Sequence, residues 1–184
     1  MKHRKVLLKI LFGLSLVALA LLERLFFDLG PNVELVTLTT FLAGAYLGFP
    51  YSFLVPLATL FISDVVLGNS LIFLFTWSAY LIIGLSSLIL GKWRGNSLRL
   101  ISASFLGSFS SSIFFFLWTN FGVWLEGWHP LTVSGLIECY VMGLPFLRYN
   151  LFSNLVFVPL GFVSVELIRA LLPQLKLRPS ESTK

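Results

Sequence analysis

Long apolar runs separated by short polar breaks set the organisation of the chain. Residues 6–27, 71–90, 98–117 and 146–172 are each mostly apolar over about 20 residues or more, the length that a helix needs to cross a hydrocarbon core about 30 Å thick. The run at 33–67 is too long for one span and is interrupted at Gly48-Phe49-Pro50. Proline has no backbone N–H and disfavours helix in the residue before it, so the run divides into helices at 33–48 and 52–67. Two short spans and a re-entrant hairpin both return the chain to the same side at Gly68. Residues 119–145 are too polar, and too broken by Gly122, Gly127 and Pro130, to span. Within them, 132–144 has the apolar spacing of a short helix lying on the surface. The predicted fold class is an all-α membrane protein: a compact bundle of six transmembrane helices in one domain over residues 1–172, with a short surface helix between helices 5 and 6 and a polar tail at 173–184.

Composition agrees with that pattern. Apolar residues make up 57% of the chain and the mean hydropathy is +0.92, against roughly 45–50% apolar in soluble domains. The charges then orient it. With the N-terminus in the cytoplasm, Lys2, Arg4, Lys5, Lys9, Lys92, Arg94, Arg99, Arg169, Lys176, Arg178 and Lys184 lie inside and only Arg24 and Arg148 outside, as the positive-inside rule requires. A single span at 33–67 would invert the rest of the chain and leave five cations inside. The expected location is therefore a bacterial cytoplasmic membrane, with both termini cytoplasmic. The basic N-terminus and Ala18-Leu19-Ala20 imitate a cleavable signal, but the apolar run continues to Phe27, which predicts a retained first helix. A net charge of +5, concentrated in the cytoplasmic clusters, suits the bilayer and its anionic headgroups rather than nucleic acid. Cys139 is the single cysteine, so no internal disulfide forms, and no His/Cys spacing suggests a metal or other cofactor.

Polar residues within or beside the spans are the candidates for function, because ionisable groups there are costly. Asp64, near the outer end of the third helix, reads either as a carboxylate that caps or pairs at the interface or as a ligand site. Glu23, Arg24 and Asp28 end the first helix, and the turn Gly30-Pro31-Asn32-Val33-Glu34 presents Asn32 and Glu34 from above. The connection after helix 5 is the densest in chemistry, with Asn120, Trp124, Glu126, Trp128, His129, Glu138 and Tyr140, followed by Arg148, Asn150 and Asn154. An interfacial aromatic belt accounts for its tryptophans; so does a lid whose rings and amides close over an organic ligand. Asn154 is an amide two turns into an apolar span, and Trp77 and Tyr80 supply a further wall or core. Small residues at four-residue spacing, Thr40, Gly44 and Gly48 on helix 2 and Ala103, Gly107 and Ser111 on helix 5, allow close backbone approach, either within the bundle or to a separate membrane subunit.

Catalysis lacks the usual parts. The histidines are His3 and His129, no glycine-flanked nucleophile elbow lies near either, and neither HExxH nor a phosphate-binding GK[ST] loop occurs. An alternative class, a membrane enzyme or assembly factor for lipid or envelope precursors, would rely on Asp64, Glu138 and His129 at the outer face. Spacing alone does not bring these three together.

The stretch from Arg24 to about Leu172 resembles a domain-of-unknown-function family of small bacterial membrane proteins. The resemblance is carried by Pro31-Asn32, Leu42-Ala43-Gly44-Ala45-Tyr46-Leu47-Gly48, Ser63-Asp64-Val65-Val66-Leu67-Gly68 and Trp118-Thr119-Asn120-Phe121-Gly122-Val123-Trp124. That family is in turn distantly similar to the substrate-binding S subunits of energy-coupling-factor (ECF) vitamin transporters. The resemblance implies a six-helix protein that holds a vitamin-like molecule in an outward cavity and docks on a membrane coupling subunit driven by two ATPases. The candidate ligand contacts are then Asn32, Glu34, Asp64, Trp77, Asn120, Trp124, Tyr140, Arg148 and Asn154. S subunits carry an Ala-x-x-x-Ala docking pattern on the first helix; here Ala18 and Ala20 are two apart, so Thr40, Gly44 and Gly48 are the expected docking face.

Overall fold

A computed structural model of the chain describes residues 2–27, 30, 32–68 and 70–176. Among them there are six α-helices and no strand: α1 (Lys2–Leu22), α2 (Val36–Leu42), α3 (Tyr51–Leu67), α4 (Phe73–Ser87), α5 (Ser97–Leu125) and α6 (Val133–Lys176). Single π-helical turns extend α1 over Glu23–Phe27 and α2 over Ala43–Leu47, and a 3-10 segment, Leu88–Trp93, extends α4. Four of the helices are long and apolar enough to cross a membrane, at His3–Phe27, Phe73–Trp93, Ser97–Leu125 and Val133–Leu172, and their outward side chains, such as Leu14, Leu106 and Phe152, are exposed. Apolar surface on that scale fits contact with lipid.

The predicted break at Gly48-Phe49-Pro50 is where α2 gives way to α3, with Gly48 at φ 76°, a left-handed conformation that glycine adopts without a Cβ penalty. Helix α2 is enclosed over its whole length, while α3 is half-exposed; each is shorter than a full span. Proline 56 leaves the Ser52 carbonyl without its helical N–H donor. Gly84 of α4 lies against that oxygen so closely that a Cβ there would come within 2.3 Å of it, so the α3–α4 seam is fitted to the proline.

The hairpin of α5 and α6 departs from the sequence expectation. Helix α5 was expected to stop at residue 117, yet it continues to Leu125, because Thr119 Oγ1 and Asn120 Nδ2 donate to Phe115 O and Phe116 O of their own helix at 2.8 Å each. The polarity that suggested a loop is thereby satisfied inside the helix. The expected surface helix at 132–144 is not separate: α6 runs through Pro145 without a break from Val133 to Lys176. A proline in a helix interior costs about 3 kcal/mol and one hydrogen bond. Ending the helix there would free several more backbone groups in apolar surroundings, and α5 holds the segment through Cys139 Sγ to Asn120 O at 3.3 Å and Tyr140 Oη to Leu117 O at 2.9 Å. Residues 177–184 of the expected tail, together with Asp28, Pro31 and Asn69 of the expected turns, lie outside the described residues.

These lengths create relief at one end of the bundle. Helices α1, α2 and α3 meet around Arg24, Glu34 and Asp64, where Asn154 of α6 also reaches Ser112 of α5. From Ser112, α5 continues about 20 Å further to Leu125 at 1.5 Å per residue. The α5–α6 hairpin is thus a tall wall beside a sunken floor.

Candidate functional site

The floor is ionic. Arg24, in the π-helical turn after α1, pairs through Nη1 with Glu34 Oε2 at 2.6 Å and through Nη2 with Asp64 Oδ1 at 3.5 Å, and donates from Nε to Ser63 Oγ at 3.0 Å. Asp64 Oδ2 also accepts the indole N–H of Trp77 at 2.8 Å. Beside them the buried Glu23 accepts the backbone N–H of Leu35 at 3.1 Å, satisfying one of the orphan donors at the start of α2. The paired side chains keep 14% (Arg24), 23% (Glu34) and 11% (Asp64) of their exposure. Charges so far withdrawn from water are tolerable only when paired, and here every nitrogen of the guanidinium is engaged.

Above this floor is a cavity of about 500 Å³, within the range of small-molecule sites. Phe115, Phe116 and Thr119 of α5 form one side; Met142, Phe146 and Asn150 of α6 form another. Trp128 and His129, on the turn between the two helices, lie over it, with His129 Nδ1 3.8 Å from Glu138 Oε1. Under the wall Asn154 donates to Ser112 Oγ at 2.9 Å and to Asn150 Oδ1 at 3.0 Å, and Asn150 donates to Asn32 O at 3.5 Å. A second cavity, about 370 Å³ between α4 and α5, is walled by Phe41, Ile82, Leu106 and Phe114 and has little besides serine hydroxyls for polarity. Of these, Ser86 and Ser110 donate back to their own helices. Of these two cavities, the first offers charge and amide groups together.

Of the ligand contacts expected from sequence, Asn32, Glu34, Asp64 and Asn120 line the cavity. Trp77 stands behind Asp64 as its donor, and Asn154 lies one layer beneath, holding Asn150. Trp124 and Tyr140 do not line it: Trp124 Nε1 donates to Pro130 O at 3.0 Å and so closes the turn, and Tyr140 ties α6 to α5. Arg148 is exposed and does not line the cavity. Of the expected docking residues, two lie inside the bundle. Thr40 and Gly44 are enclosed, and a Cβ on Gly44 would strike Ser87 of α4, its Oγ at 1.8 Å and its backbone at 2.9 Å, so this seam joins α2 to α4. Gly48 supplies the turn into α3.

Arg24 and Asn150 stood among the polar candidates but not among the expected ligand contacts, and Thr119 and the phenylalanines of α5 had no place in either. Arg24 carried a signal, since an arginine ending an apolar helix, with carboxylates on neighbouring segments, is a charge in search of partners. Among the described residues, no three His, Cys, Asp or Glu side chains gather as a metal site.

Residues 4–175 match the model of a family of unknown function, DUF6580, and the chain belongs to that family. No curated protein and no solved structure matches it.

Proposed function

We propose that this protein binds a small organic solute within the membrane and hands it on without chemical change, as a relative of the substrate-binding S subunits of ECF-type transporters. The observation that carries this reading is the cavity of about 500 Å³ with apolar walls and an ionic, amide-bearing floor. Mostly apolar pockets with a few fixed polar groups are how proteins hold small molecules. The described cations Lys9, Lys92, Arg94, Arg99 and Arg169 belong to the opposite end of the bundle, where Lys9 Nζ and Arg94 Nη1 reach the carbonyls of Leu47 and Tyr46 and Arg169 meets Glu166. Under the positive-inside rule that end is cytoplasmic, and the cavity opens outward in a bacterial cytoplasmic membrane. Passage of the solute across the membrane then depends on a coupling subunit with two ATPases. Its docking surface lies elsewhere than the α2 seam, which α4 fills.

Mass spectrometry of small molecules released from the detergent-purified protein tests the reading, with Val123→Trp as the control, because Val123 lines the cavity apart from the ionic floor. The expected result is a solute enriched with the native chain and depleted at least tenfold from the variant. Equal recovery from both would defeat it.

A further inference from the structure

The charges around the cavity are unequal. Among the described residues Arg24 is the only lysine or arginine lining it, against the carboxylates of Glu34 and Asp64, and each of its guanidinium nitrogens already has a partner in Glu34, Asp64 or Ser63. An anionic solute would approach Arg24 only beside the carboxylates of Glu34 and Asp64, whose charge repels it. A cationic one needs to displace nothing and supplies the positive charge that the floor lacks. Glu34 spends Oε2 on the ion pair and keeps 23% of its side-chain exposure, so its carboxylate is reachable from the cavity. The same sign prevails at this end of the bundle: among its described residues Glu23, Glu34, Asp64, Glu126 and Glu138 outnumber Arg24 and Arg148, and of these seven Arg24, Glu34 and Asp64 line the cavity. A cleft lined by one sign of charge in low-dielectric walls concentrates ligands of the opposite sign. Phe115, Phe116, Phe146 and Trp128 line the cavity above the floor, and aromatic faces attract a desolvated cation while covering its apolar body.

From these observations, and resting on the solute-binding reading above, we infer that the solute is an organic monocation with an apolar or aromatic body. Its positive centre lies over Glu34 and Asp64 and its body lies among the rings of α5 and α6.

Isothermal titration of the full-length protein in detergent with three probes tests this: benzyltrimethylammonium as cation, benzyl alcohol as neutral relative and benzoate as anion. The cation is expected to bind at least about tenfold more tightly than either of the others, a conservative figure for a unit charge in a poorly solvated site. Glu34→Gln weakens the cation selectively. Because that change disturbs a buried pair, Met142→Lys gives an independent measure: Met142 lines the cavity and is 63% exposed, outside the ionic floor, so the variant adds opposing charge and leaves the floor intact. It should weaken the cation about tenfold and benzyl alcohol little. Equal or tighter binding of benzyl alcohol or benzoate, absent binding of the cation, or indifference of the cation to Met142→Lys would overturn the inference. If the three probes bind alike and Val123→Trp abolishes all of them, the solute-binding reading survives and only the cation preference falls. Binding that Val123→Trp leaves untouched defeats both.

Discussion

Each end of the bundle pairs an arginine with acidic side chains, but Arg24 is largely buried at one end and Arg169 is half-exposed at the other. At the basic end, Glu166 of α6 accepts from Tyr46 of the α2 extension at 2.7 Å and from Ser97 of α5 at 2.6 Å, and pairs with Arg169, whose guanidinium lies 5.6 Å from the Tyr46 ring centroid. One carboxylate meets one arginine and two hydroxyls, and Glu166 lines neither cavity. At the other end two carboxylates share Arg24, and all three line open space. The same side-chain chemistry serves as a latch where donors match acceptors and adjoining helices close over it. Where two carboxylates share one arginine and the helices stop short, it forms the floor of an open cavity.

The sharpest way to break that comparison is Arg24→Met. Removing one member of a buried ionic group leaves its partners uncompensated and costs about 3–5 kcal/mol. Thermal unfolding in detergent should register a large loss, and solute recovery should vanish with it. A variant that melts like the native chain would mean that the floor is better solvated than its burial indicates.

Glu166→Ala should produce a smaller effect of one kind only. It takes the acceptor from the part-buried Tyr46 hydroxyl, at the low end of about 1–3 kcal/mol for a buried polar group left without its partner, while the exposed Ser97 hydroxyl turns to water. The expected outcome is a lowered melting temperature with solute affinity unchanged once the protein is folded. A loss of affinity at constant stability would make the basic end part of the site. Arg169→Met is smaller still: its side chain is 48% exposed, so the pair contributes less than about 1 kcal/mol after solvent screening. The difference between Arg24→Met and Arg169→Met therefore measures how far burial, rather than the presence of an ion pair, separates the two ends.

Much of the frame was legible because it follows from local chemistry. Proline 50 and Gly48 mark the α2–α3 turn, and the apolar runs mark the long helices. The misreadings came where a side chain satisfied itself or where tertiary contact outweighed a local breaker: Thr119 and Asn120 bond their own helix, and α6, bonded to α5, continues past Pro145. The site was half visible. Asn32, Glu34, Asp64 and Asn120 stood out as polar residues beside apolar spans, yet nothing local shows that Arg24 reaches both Glu34 and Asp64 across three helices. Gly44 was recognised as a close-approach residue; which helix approaches it is a property of the assembled bundle.

Solute protection of single cysteines tests the contrast between the ends most directly. In a Cys139→Ser background, Thr119→Cys places a thiol in the cavity wall and Ser97→Cys places one beside Glu166. Each is labelled with a small thiol reagent, with and without the pool of molecules released from the purified native protein. The account predicts slowed labelling at Thr119→Cys and an unchanged rate at Ser97→Cys. Equal rates at Thr119→Cys with and without the pool, or equal protection at both positions, would contradict it.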